Sequence, residues 1–257
     1  MKLQIQNSKF VYLAWLIAFV YLIAFGIAEF LVYNVSPVGG IVLYFATLTG
    51  IIVSSTFDPN KDRRRLWLSL GLGPLIRIVS IVMPVIQISA IYWYFIISLP
   101  IFLGIYTVSH YLHYTLDDIG LNSHNPLIQL FTAITGIGLG VIDYYIVKSA
   151  PLAQGSIVQL IFPAIVLIVF NGIVEELAFR GVMQKTAILL GSWGWIFVAA
   201  IYAVLQIGYG SILQIFFIFA VAIYFGFVVK KTNSILGVSL AHGLMSIMVF
   251  LVMPKLI

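Results

Sequence analysis

Apolar residues follow one another along this chain in runs of about 20, the length a helix needs to cross a bilayer. Windows of that kind fall at 10–33, 38–57, 66–86, 91–113, 127–147, 155–174, 193–208, 211–229 and 233–253. The pattern predicts an all-α, polytopic transmembrane bundle of eight or nine spans. The window at 193–208 is short. Nine spans fit the chain, and so do eight with one re-entrant segment. The stretch 177–191 mixes Arg180, Gln184 and Lys185 with Leu, Val and Ile, so it is expected to lie along the membrane interface. The first apolar run, of about 24 residues, is too long for a signal-peptide core and has no clear cleavage site, so it reads as a retained helix.

Charge orders these windows. Lys2, Lys9, Lys61, Arg63, Arg64, Arg65, Arg180, Lys185, Lys230 and Lys231 fall on one side, Lys148 and Lys255 on the other, and Arg77 lies inside a span. That bias fits nine spans with the N-terminus and the Glu175 end of its helix on the cytoplasmic side of the cell membrane. Among buried charges, Arg77 is expected to meet a carboxylate or helix carbonyls, because charges at membrane depth pair. Pro74, Pro84 and Pro100 are expected to kink their helices. Asp143, beside Tyr144 and Tyr145, reads as an outer-interface residue, and His110 and His113 as part of an inner aromatic belt.

Composition agrees with this reading. The chain is 62% hydrophobic and 8% charged, with a mean hydropathy of +1.13. Soluble proteins run about 45–50% apolar and about 25% charged, so this is an integral membrane protein. The net charge of +5 sits between the apolar runs, and no basic motif interleaved with aromatics points to nucleic acid. The absence of cysteine excludes disulfides, thiolate nucleophiles, cysteine-ligated metals and lipidation on cysteine. A polar stretch at 116–126 separates N-terminal helices (1–115) from a C-terminal core (127–257), where the strong motifs lie.

Those motifs are polar pairs at helical spacing inside apolar helices. Glu175-Glu176-Leu-Ala-Phe-Arg180 puts three charges into six residues after a run, Leu160 to Val174, whose one strongly polar member is Asn171. Each such charge costs about 2.5–3.5 kcal/mol at membrane depth. Glu176 and Arg180 are i, i+4 with the acid first, the favourable order for an ion pair. Glu175 points about 100° away and is left free to act as a base. Tyr202 and Gln206 are i, i+4 on a second helix, and His242 and Ser246 on a third. Taken singly, the Gln and the His read as packing glue and a satisfied buried ring. Together with Glu175, Glu176 and Arg180 they read as a site.

The order Glu-Glu-x-x-x-Arg, aromatic-x-x-x-polar, His-x-x-x-polar, each on its own membrane helix, resembles the CPBP family. Its members are the CAAX prenyl protease type II and bacteriocin-processing intramembrane endopeptidases, also called the Abi family. The likeness covers roughly 125–254. It implies a helical fold around a conical intramembrane cavity and cleavage of a peptide or protein substrate near the membrane surface. In that likeness Glu175 activates a water, Glu176 and Arg180 support the geometry, and His242 with Ser246 stabilises the oxyanion. The family pattern has Phe-x-x-x-His and His-x-x-x-Asn where this chain has Tyr202-x-x-x-Gln206 and His242-x-x-x-Ser246. Zn2+ held by Glu175 and His242 and a metal-free glutamate mechanism are both compatible with the likeness, though Gln206 weakens the case for zinc. Two other functions remain open: a pseudo-protease acting as a binding or bacteriocin-immunity protein, and a small proton-coupled transporter. No inverted repeat of the transporter kind is visible.

Overall fold

Helices are the only regular elements in the computed structural model, which describes residues 8–82, 89–209 and 211–256. Pro84 and Lys2 lie outside the described residues. The chain runs through α1 (Ser8–Asn34), α2 (Pro37–Phe57), α3 (Lys61–Val82), α4 (Ala90–Tyr111) and α5 (Pro126–Val147). It continues through α6 (157–186), α7 (Gly194–Val204), α8 (Ile212–Thr232) and α9 (Leu236–Leu256). Local chemistry sets several starts. Ser36 caps α2, its hydroxyl accepting from the Gly39 amide at 3.2 Å, with Pro37 in the first turn. The Asn60 side chain accepts from the amides of Asp62 and Arg63, each at 3.0 Å, and caps α3. The α3 helix is interrupted at Gly71, one turn before Pro74, whose missing N–H leaves the Leu70 carbonyl without its usual partner. Pro100 is accommodated inside α4.

Among the described residues eight helices are long and apolar enough to cross a membrane, and the sixth of these, Ile157–Val204, combines α6 and α7. The chain turns between them at Gly191, whose φ of 77° and ψ of −151° suit glycine alone. With 11 residues, α7 is too short to span by itself. It nevertheless runs parallel to α1. The contacts step from Trp15 on Phe197 through Gly26 beside Val204 to the Tyr33 ring on Gly208. The window at 193–208 therefore follows the path of a crossing without being a helix of spanning length.

The stretch expected at the interface is instead interior. Leu177, Ala178, Phe179, Arg180, Val182 and Met183 are all buried on a helix that continues unbroken from Ile157 through Thr186. Five apolar side chains gain cover there, and Arg180 is satisfied by Glu176, so burial costs less than its charge suggests. Arg180 accordingly does not count among the loop charges.

In the N-terminal half, Arg77 meets the carboxylate expected of it. Its Nη2 donates to Glu29 Oε2 at 2.9 Å, its Nε donates to Oε1, and the Tyr44 hydroxyl also donates to Oε1. Glu29 is fully buried.

Close helix approach assembles the C-terminal half. A Cβ on Gly136 would lie 2.1 Å from the Ala241 carbonyl oxygen, and one on Gly172 would lie 2.5 Å from that of Ser239. No side chain fits at either place, so α5 and α6 lie backbone-close against α9. The polar linker is tied to the end of α6. Asp118 accepts from the Thr115 amide at 3.0 Å and from Lys185 Nζ at 3.3 Å. The Thr115 amide above all, then its hydroxyl and the Lys185 ammonium, hold the Asp118 carboxyl below its ordinary range.

Candidate functional site

The α6 helix widens twice. Residues Leu167–Ile173 and Leu177–Met183 form π turns on either side of Val174–Glu176. A π turn inserts one residue into the helical ladder, and such turns concentrate at functional sites. Here they frame the adjacent acids, which end on different faces. Glu175 lines a cavity of about 280 Å³, whereas Glu176 is fully buried behind its wall.

Glu176 is held from two sides. Arg180 Nη1 donates to its Oε1 at 3.1 Å, and His242 Nδ1 stands 3.0 Å from the same oxygen. The guanidinium also lies over the Tyr202 ring, 4.6 Å from its centre. The ion pair predicted from i, i+4 spacing is thus present, and it sits behind the cavity. Its second effect is on His242, where the Glu176 carboxylate fixes hydrogen on Nδ1 and leaves Nε2 toward the cavity.

Glu175 has one side-chain hydrogen bond among the described residues. The Tyr202 hydroxyl donates to its Oε2 at 3.1 Å, and the same hydroxyl stands 3.5 Å from His242 Nε2. Tyr202 therefore bridges the acid and the ring from α7. A phenylalanine, as in the family pattern, could not make this bridge. Gln206, one turn further along, lines the cavity without a side-chain hydrogen bond among the described residues. Ser246 also lines it and accepts from Asn171 Nδ2 at 2.8 Å.

All six residues picked out in the sequence converge on this region. Glu175, Gln206, His242 and Ser246 face the cavity, while Glu176 and Arg180 stand behind it. Asn171, Asp143 and Gln214 carry polar chemistry at the cavity and were not foreseen as site residues. Asn171 orients Ser246, and its signal was its solitude in an apolar run. Asp143 is buried and lines the cavity, where it accepts from Gln214 Nε2 at 2.8 Å. The outer-interface placement of Asp143 is thereby corrected: α8 covers it, and Gln214 supplies the hydrogen bond that water would have given.

The N-terminal helices close the facing wall with Ile76, Arg77, Ser80, Trp93 and Ile97. His110 lies away from the cavity, exposed and stacked on Tyr106 with ring centres 6.0 Å apart.

A zinc ion needs three or four N, O or S ligands. Among the described residues no three His, Asp or Glu side chains stand close enough to hold a metal. Arg180 and His242 both engage Glu176 Oε1, its Oε2 has no hydrogen-bond partner among the described residues, and position 206 carries an amide. The donor set does not fit zinc, and no step below passes through a metal.

An integral membrane helical bundle that encloses a carboxylate and a histidine in one cavity defines the class of this protein. Residues 157–248 match the family model described as type II CAAX prenyl endopeptidase Rce1-like. The matched segment is about a third of the chain and contains every one of the six residues above. No curated protein and no solved structure matches the chain.

Proposed function

We propose that this protein is an intramembrane endopeptidase of the CAAX type that cleaves a peptide or protein substrate with water activated by Glu175. One observation carries the reading: two adjacent acids are divided between two tasks. Glu176 is neutralised by Arg180 and braces His242, while Glu175 faces the cavity with no cation bonded to it. A water between Glu175 and the substrate carbonyl gives its proton to Glu175, and the resulting hydroxide adds to the carbonyl carbon. The oxyanion turns toward His242 Nε2 and the Ser246 hydroxyl. Ser246 accepts from Asn171, so its own hydrogen remains available. Glu175 then returns the proton to the departing amine.

Hydrogen bonding favours an imidazolium at His242. Tyr202 has one hydrogen and gives it to Glu175, so Nε2 pairs with the Tyr202 oxygen when it bears a hydrogen of its own. Glu175, Glu176, Arg180 and an imidazolium at His242 then balance within this cluster, and the ring presents a donor where negative charge develops.

The biased distribution of Lys and Arg supports a cytoplasmic N-terminus and an active site opening toward that face. A cysteine placed at Lys185, whose side chain is 39% exposed, is expected to label from the cytoplasmic side; labelling from outside alone would reverse the orientation.

A second reading rests on Tyr202. Its hydroxyl occupies the space between Glu175 and His242 where the attacking water belongs, which is how a binding protein that has given up turnover would look. Cleavage of a library of transmembrane peptides by the purified, folded protein separates the two. The endopeptidase cleaves, and the double variant Tyr202→Phe, Gln206→His cleaves faster by at least about tenfold, because it frees the water and adds a second base. Silence from both forms, with folding confirmed, would leave the pseudo-protease.

A further inference from the structure

The cavity has a second polar station at the end of α5. Asp143 and Gln214 are both more than nine-tenths buried, and both line the cavity. Gln214 Nε2 donates to Asp143 Oδ1 at 2.8 Å, which fixes the orientation of the amide. Gln214 Oε1 is then left buried with no hydrogen-bond partner among the described residues. Asp143 Oδ2 likewise receives no hydrogen bond there. An orphaned buried acceptor costs about 1–3 kcal/mol, a cost that a ligand donor would remove.

Acceptors outnumber donors at the station: Gln214 Oε1 and Asp143 Oδ2 stand against one remaining hydrogen on Gln214 Nε2, so what completes it must chiefly donate. Charge narrows the choice to a cation. Among the described residues the one Lys or Arg on the cavity wall is Arg77, and both oxygens of Glu29 hold it. No ion pair neutralises Asp143 among the described residues. An ammonium or guanidinium makes charge-assisted hydrogen bonds that are stronger than those of a neutral amide.

The helices give its distance from the chemistry. Gly136 lies against Ala241 and Gly140 against Met245, so α5 and α9 run parallel in this register. Asp143, three residues past Gly140, comes level with Met248, next to Val249 on the cavity wall. Six helical residues separate Met248 from His242, a rise of about 9 Å. An extended peptide covers that in about three residues.

We propose that Asp143 and Gln214 form a subsite that selects a substrate with a lysine or arginine about three residues from the bond that is cut. The proposal rests on the endopeptidase reading for its link to cleavage, but its binding step can be measured without turnover. The experiment uses full-length protein carrying Glu175→Gln, which removes both turnover and the other cavity-facing carboxylate. Two fluorescent leucine–alanine membrane peptides are compared, one with a single central lysine and one with norleucine in its place. The lysine peptide is expected to bind at least about tenfold tighter, and adding Asp143→Asn is expected to erase the difference. Equal binding of the two peptides, or a preference that survives Asp143→Asn, would overturn the subsite. Should Asp143→Asn fail to fold, Gln214→Met replaces it. That variant keeps the carboxylate but loses the orphaned oxygen, and a preference left at full strength would count against the proposal. A lysine preference in a protein whose wild type cleaves nothing would sustain the subsite and sink the peptidase.

Discussion

Arg180→Leu is expected to lower the thermal unfolding midpoint of the detergent-solubilised protein sharply. The variant leaves Glu176 fully buried with His242 as its one remaining partner. Breaking a buried ion pair from one side costs about 3–5 kcal/mol, because the abandoned charge cannot reach water. Against a total stability of about 5–15 kcal/mol this is a large fraction. The loss also removes a cation from the face of Tyr202. The double variant Glu176→Leu, Arg180→Leu is expected to recover part of the loss, since it abandons no carboxylate, though it strands His242 Nδ1. A single variant that melts with the wild type would mean that the pair does not hold the helices together.

Glu175→Gln is expected to reduce cleavage by about 10²–10⁴-fold, the range for removal of a positioned general base, without lowering the unfolding midpoint. The two halves of this prediction depend on each other. Glu175 accepts one hydrogen bond, from Tyr202, and a glutamine carbonyl accepts the same bond in the same place. Folding is therefore spared while proton transfer is not. Turnover that persists within about tenfold of wild type would remove Glu175 from the role of base. Read beside Arg180→Leu, it separates the acid that does chemistry from the acid that holds the fold.

Much of this arrangement was legible in the sequence for one reason. Lipid makes charge expensive, so Glu175, Glu176, Arg180 and His242 stood out against their apolar surroundings, and Arg77 announced a partner that proved to be Glu29. The spans were legible by length. What escaped the sequence was decided by geometry across helices. Asp143 looked interfacial because it lies near a helix end beside two tyrosines, and nothing local reports that α8 covers it. Gln214 became meaningful only opposite Asp143. The hydroxyl of Tyr202 looked like a minor departure from phenylalanine until its two partners were in place. The burial of 177–187 was masked by Arg180, Gln184 and Lys185, each of which has found a partner: Glu176, the Gly226 carbonyl and Asp118. The shortness of α7 was visible, but its course along α1 was not.

The paired π turns on α6 make the length of this gene segment as consequential as its spelling. Each turn holds one residue more than an α-helix would use. Were Leu167–Ile173 to close into an α-helix with every residue kept, or to take up one residue more, everything beyond it would rotate by about 100°. Glu175 would swing out of the cavity, and Glu176 out of reach of His242, with no change in any of their identities. In this region point substitutions can be graded by chemistry, whereas a single inserted residue acts as an all-or-nothing event.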